Sequence, residues 1–125
     1  MSDDTKIMRD AAERSVRYRE TLGDRGVAPS PAAIAAVGGF DEALSEQGRD
    51  DDETLAMLDD LGSPASVAMA GPRFFGFVIG GSLPVTVAAN WLATAWDQNS
   101  VMNEVTPAMA TLEDVSRRWL CELLG

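Results

Sequence analysis

Residues 71–84, Gly-Pro-Arg-Phe-Phe-Gly-Phe-Val-Ile-Gly-Gly-Ser-Leu-Pro, restrict the possible folds of this chain more than any other stretch. Aromatics, glycines and prolines crowd together only here, with charged sequence before and a long apolar helical pattern after. An extended apolar run over residues 73–79 is expected to feed a turn at Gly80-Gly81. Glycine there would allow a positive φ or the close approach of another group. Ser82 is the expected N-cap of the next helix, and Pro84 falls in its first turn, where a missing N–H costs nothing. In an extended run, alternation sends Phe75 and Phe77 to one side and Phe74 to the other. Two readings stay open: a loop that lines a ligand pocket, or a buried connector whose phenylalanines are core.

The flanking pattern is helical. About residues 5–22 carry a narrow stripe of Met8, Ala11, Ser15, Tyr18 and Leu22, and Gly23 is a plausible stop. Arg9 with Glu13, Asp10 with Arg14, and Glu13 with Arg17 stand four apart, pairs worth about 0.2–0.5 kcal/mol each. So thin a seam suits either an ordinary surface helix or an arm docked on a partner subunit. Ser30-Pro31 opens a short helix over residues 32–37, ended by Gly38-Gly39. Leu55, Leu58 and Leu61 follow an acidic run, Asp50 to Glu53, and Gly62 is expected to end their helix before Ser63-Pro64 restarts the chain. The most buried helix is expected from residue 83 to about 99, since its apolar residues leave little polar face and need cover on most sides. Thr106-Pro107 opens a last helix with Leu112, Val115, Trp119 and Leu123 as its stripe. The fold class is therefore mainly α, with arm helices over 1–62 and the motif loop plus two long helices over 63–125.

Charge and composition narrow the chemistry. A formal net charge of −10, with only ten basic residues, argues against a nucleic-acid or anionic-membrane surface. The apolar stretch at 83–96 is too short for a membrane span, and the amino-terminal residues show no signal-peptide pattern. A single cysteine, Cys121, forms no internal disulfide, and a cytoplasmic location is the default expectation. There is no histidine, so a histidine metal site, a Ser-His triad and a Cys-His dyad are all excluded within these residues. Lys6 is the only lysine, and its place near a solvated terminus suits no Schiff base. The carboxylates of Asp50, Asp51, Asp52 and Glu53 can chelate a cation or simply complement a helix dipole. They lack the glycine and distal glutamate of a calcium loop, so no metal is expected. Gly80-Gly81-Ser82 ahead of a helix can hold a small anion, but without the lysine of a P-loop.

Residues 71–84, followed by Ala89-Asn90-Trp91-Leu92, Asp97-Gln98-Asn99 and Val105-Thr106-Pro107-Ala108, resemble the N-terminal region of the group II pyridoxal-phosphate-dependent amino acid decarboxylases. That family includes the aromatic amino acid and glutamate decarboxylases. The similarity covers about residues 63–125 and is looser before that. Residues 119–125 resemble the point where the family's chain enters its large α/β cofactor domain, absent here. The resemblance implies the N-terminal helical layer of a fold-type I enzyme, interlocked with the same layer of a second subunit in a homodimer. It implies an amino acid substrate and pyridoxal phosphate as the cofactor of the full-length parent. Phe77, Val78, Ile79 and Gly80 would line the substrate site. Phe77 matches a position that is aromatic in the aromatic decarboxylases and glutamine in the glutamate decarboxylases. Asn99 and Val101 match positions that reach the neighbouring subunit's pocket. The chain departs from the family at Gly71, often histidine, and at Val101, often aromatic. The aldimine lysine, the histidine stacked on the cofactor and the phosphate-binding residues have no counterpart, so no catalytic or cofactor-binding residue is expected and this polypeptide alone should be inactive. The alternative is a non-catalytic helical interaction module.

Overall fold

The computed structural model describes residues 3–99 and 102–125. Five α-helices and two short 3-10 turns account for the regular structure, with no strand among the described residues. The mainly α expectation holds. None of the described helices is long and apolar enough to cross a membrane. The chain divides into two compact units, Met1–Gly81 and Ser82–Gly125.

In the first unit, α1 (Asp3–Glu20) runs into a 3-10 turn, Thr21–Gly23. α2 (Pro31–Ala36) starts as its sequence dictates: the Ser30 hydroxyl accepts the Ala33 N–H at 3.1 Å, and Pro31 takes the first helical position. Gly38-Gly39 does not stop the chain's coiling, which tightens into a 3-10 turn over Val37–Phe40. α3 (Asp51–Ala65) begins with Asp51, Asp52 and Glu53 in its first turn, where carboxylates offset the exposed N–H groups.

Gly62 does not end α3, and Ser63-Pro64 does not restart the chain. The helix runs through both to Ala65 because its last turn is held from outside. The Arg25 guanidinium donates to the Ser63 carbonyl, and the Ser66 hydroxyl donates to the Gly62 carbonyl at 2.8 Å. Pro64 removes only the N–H that would have met the Asp60 carbonyl, on an exposed residue. Gly62 faces the Phe40 ring, where an added Cβ would touch it at 3.8 Å.

Residues 66–71 then fold back on the α1 end. The Ala68 N–H donates to the Val27 carbonyl at 2.9 Å, and Arg73 donates to the Arg25 carbonyl. Leu22 and Ala68, 6% and 2% exposed, are the buried apolar residues of this junction. Gly71 makes it possible: a Cβ there would lie 3.0 Å from the Leu22 carbonyl oxygen and 3.1 Å from that of Ala68. Two backbone oxygens cannot swing aside as a side chain would, so position 71 admits no side chain without moving the backbone.

In the second unit, α4 is Pro84–Trp96, and Leu83 rather than Ser82 occupies the N-cap position. Leu83 has no capping side chain, but the Thr86 hydroxyl donates back to its carbonyl at 2.8 Å. α4 stops at Trp96, short of residue 99. Asp97 turns left-handed at φ 47°, ψ 47°, a conformation that aspartate tolerates better than most residues. The Gln98 amide then donates to the Trp96 carbonyl at 2.7 Å, satisfying a terminal acceptor. α5 (Pro107–Leu124) opens at Thr106-Pro107 as expected. Thr106 is buried, and its hydroxyl points backward to the Met102 carbonyl at 3.0 Å instead of capping α5. α4 is not a buried helix within this unit. Among its described residues no apolar side chain is buried, and Val85, Trp91, Leu92 and Trp96 of α4 all stand exposed.

Candidate functional site

The expected substrate wall, Phe77 to Gly80, lies on an exposed loop of the first unit. The loop is not the extended run that the sequence suggests. It reverses at Phe77-Val78, whose φ values of 59° and 53° are both left-handed. The reversal folds Phe74 and Phe77 together, with ring centroids 6.4 Å apart and planes inclined by 29°. Phe74 also covers Gly76, where an added Cβ would lie 3.1 Å from the ring. Phe74 and Phe77 therefore share a side, and alternation fails because the backbone between them is not extended.

The turn at Gly80-Gly81 is likewise displaced: neither glycine has a positive φ. Gly81 serves close approach instead, since a Cβ there would sit 3.0 Å from the Ala70 Cα. Phe77 is 84% exposed, Val78 is fully exposed, and Ile79 and Gly80 continue an open apolar edge. Such a surface offers van der Waals contact and no charge. Asn99 follows α4 in the second unit and is exposed, and Val101 lies outside the described residues.

Pyridoxal phosphate requires an amine to receive it and donors for its phosphate. Lys6 sits on α1, exposed and ion-paired with Asp52, and the 77–80 edge carries no charged side chain. These residues do not fit the cofactor. Asp52's pairing with Lys6 and the place of the acidic run in the first turn of α3 give those carboxylates a structural role. Among the described residues no three candidate ligands cluster as a metal site would need.

A polar cluster that the sequence reading did not identify joins α1 to α3. Arg14 donates to Asp10 at 2.9 Å and to Asp59 at 3.0 Å, and Asp59 also accepts the Ser63 hydroxyl. The Ser63 hydrogen bond, followed by those from Arg14, holds the Asp59 carboxyl below its ordinary range against the opposing effect of burial. The hydrogen bonds that Arg14 donates to Asp10 and Asp59 raise its pKa above the usual value. Arg25 lies over the Tyr18 ring, 4.7 Å from its centroid, while it donates to Ser63. The Asp10–Arg14 spacing was visible along α1. The Asp59 and Ser63 ends of the cluster were not, because they arrive 45 and more residues later.

No protein-family model matches the chain, and neither does any curated protein or solved structure.

Proposed function

We propose that these residues form the N-terminal helical portion of a group II pyridoxal-phosphate-dependent amino acid decarboxylase. The portion supplies a homodimer interface and part of the substrate wall and has no activity alone. One observation carries the reading: the apolar faces of α4 and α5, including Trp91, Trp96, Trp119 and Leu120, lie open to solvent. Exposed apolar area of this kind marks a surface that other protein mass covers. The motif residues 71–84 add a second support, since their loop presents Phe77 and Val78 outward as a substrate wall would. The lysine and phosphate donors that these residues lack would come from polypeptide beyond Gly125.

The coding sequence downstream of Gly125 tests this. A frame continuing into a Ser/Gly-rich phosphate loop and a His-Lys pair is expected, and a stop codon there favours the interaction module. In the complete enzyme, Phe77→Gln should lower kcat/KM for aromatic relative to acidic amino acids by about tenfold, the worth of one pocket contact of 1–3 kcal/mol. An unchanged ratio would make Phe77 packing and not pocket.

A further inference from the structure

The groove where α1 meets the end of α3 is a separate feature of the first unit. It is a shallow, open groove of about 380 Å³, lined by Arg14, Arg17, Tyr18, Arg25, Ser63 and the carboxylate of Asp59, among others. A third of the chain's nine arginines meet there, in a chain of net charge −10. They are not equivalent. Arg14 is committed to Asp10 and Asp59, and lies 3.8 Å from Asp60 as well. Its charge is therefore balanced by neighbours.

Arg17 is different. Among the described residues its one carboxylate neighbour within ion-pair distance, Asp59, stands at 3.9 Å, beyond hydrogen-bonding distance, and its side chain is 58% exposed. Arg25 holds its plane over Tyr18 and gives one donor to the uncharged Ser63 carbonyl. No carboxylate lies within ion-pair distance of Arg25 among the described residues, so its positive charge is not offset by direct contact. Two guanidiniums thus line one groove, one with its donors largely unspent and one braced against a ring.

We propose that this groove binds a phosphate-sized tetrahedral oxyanion between Arg17 and Arg25. One bidentate arginine satisfies a carboxylate's two oxygens, whereas a phosphate has oxygens enough for two forks that reach it from different directions. Arg25 is pre-organised by the Tyr18 face and the Ser63 carbonyl, so ordering it costs little on binding. Arg14 keeps Asp59 engaged, which limits how far that carboxylate opposes the anion. The chain's overall negative charge repels anions at long range. At physiological ionic strength the Debye length is about 8 Å, so that repulsion is screened while contact-distance donors still act.

Equilibrium dialysis of the 125-residue chain tests the site, with inorganic phosphate and glycerol 3-phosphate as probes and chloride at matched ionic strength as the background. Saturable uptake of one phosphate per chain is expected. Arg17→Gln should weaken it by about tenfold, the worth of one charge-assisted hydrogen bond. Helical circular dichroism should stay unchanged, because Arg17 is exposed and makes no tight contact. Arg117→Gln, a change to an exposed arginine of α5, should leave uptake unaltered. Tighter uptake of glycerol 3-phosphate would identify a phosphorylated small molecule as the ligand, and equal or weaker uptake would identify the free anion. No saturable uptake by the parent chain, or equal uptake by a folded Arg17→Gln chain, would overturn the assignment. The second result would instead move binding elsewhere, for instance to residues 80–82.

Discussion

Val78 is the residue whose local chemistry and conformation disagree most. A β-branched side chain at φ 53° crowds its own backbone, and the left-handed region costs a non-glycine residue about 1–2 kcal/mol. Phe77 beside it bears the same conformation, yet gains the stack on Phe74. Val78 is fully exposed and has no such return. Val78→Asn should therefore stabilise the first unit, by about 0.5–1 kcal/mol, since asparagine enters this region more readily. Chemical denaturation followed by far-UV circular dichroism measures it, and a lowered midpoint would show that Val78 makes contacts that repay the strain. Gly71 is the opposite case, a residue fully in accord with its surroundings. The carbonyls of Leu22 and Ala68 fill the space that a side chain at position 71 would need.

Between elements, Asp59 is the carboxylate that ties α1 to the end of α3. Asp59 ties Arg14 of α1 to Ser63 in the last turn of its own helix. Its pKa is lowered in the folded chain, so the folded state binds fewer protons than the unfolded state in the acid range. The resulting stabilisation is fully present above the ordinary aspartate value of about 3.9 and is lost as pH falls through the depressed folded value. Acid titration should therefore loosen the first unit only below about pH 4. Tyr18, the sole tyrosine, lies at this contact and gives the near-UV signal to follow. Asp59→Asn should lower stability at neutral pH and flatten this part of the acid profile. An unchanged acid profile in the variant would assign the transition to other carboxylates.

For the molecule as a whole, the two units differ in kind. The first has a small junction at Leu22, Ala68 and Gly71, with polar links around it. The second exposes Val85, Leu92, Leu112, Leu120, Leu123 and all three tryptophans. Water-facing apolar area costs about 25 cal/mol per Å² relative to burial, so association that covers it is favoured. The chain is expected to self-associate at micromolar concentration in sedimentation velocity. Because every tryptophan lies in the second unit, indole emission should shift to the blue as the sedimentation coefficient rises. A monodisperse monomer with tryptophans shielded from iodide would contradict the exposed faces and remove the main support for the decarboxylase reading.

Much of the helical plan was legible because its causes are local. Ser30-Pro31 and Thr106-Pro107 mark helix starts through backbone geometry that needs no distant partner, and the acids at 51–53 mark a third. The places that could not be read are those where a distant group intervenes. Gly62 and Pro64 look like an end to α3 until Arg25 and Ser66 supply donors to its last carbonyls. Residues 73–79 look extended until Phe74 folds over Gly76 and meets Phe77, which moves the reversal from Gly80-Gly81 to Phe77-Val78. The arginine groove has no linear signature, because its two guanidiniums matter only once α3 brings Asp59 and Ser63 beside α1. Caps, prolines and apolar spacing act within a turn or two of chain. Hydrogen bonds and ring contacts between remote residues depend on the path of the backbone, and no short stretch of letters encodes that path.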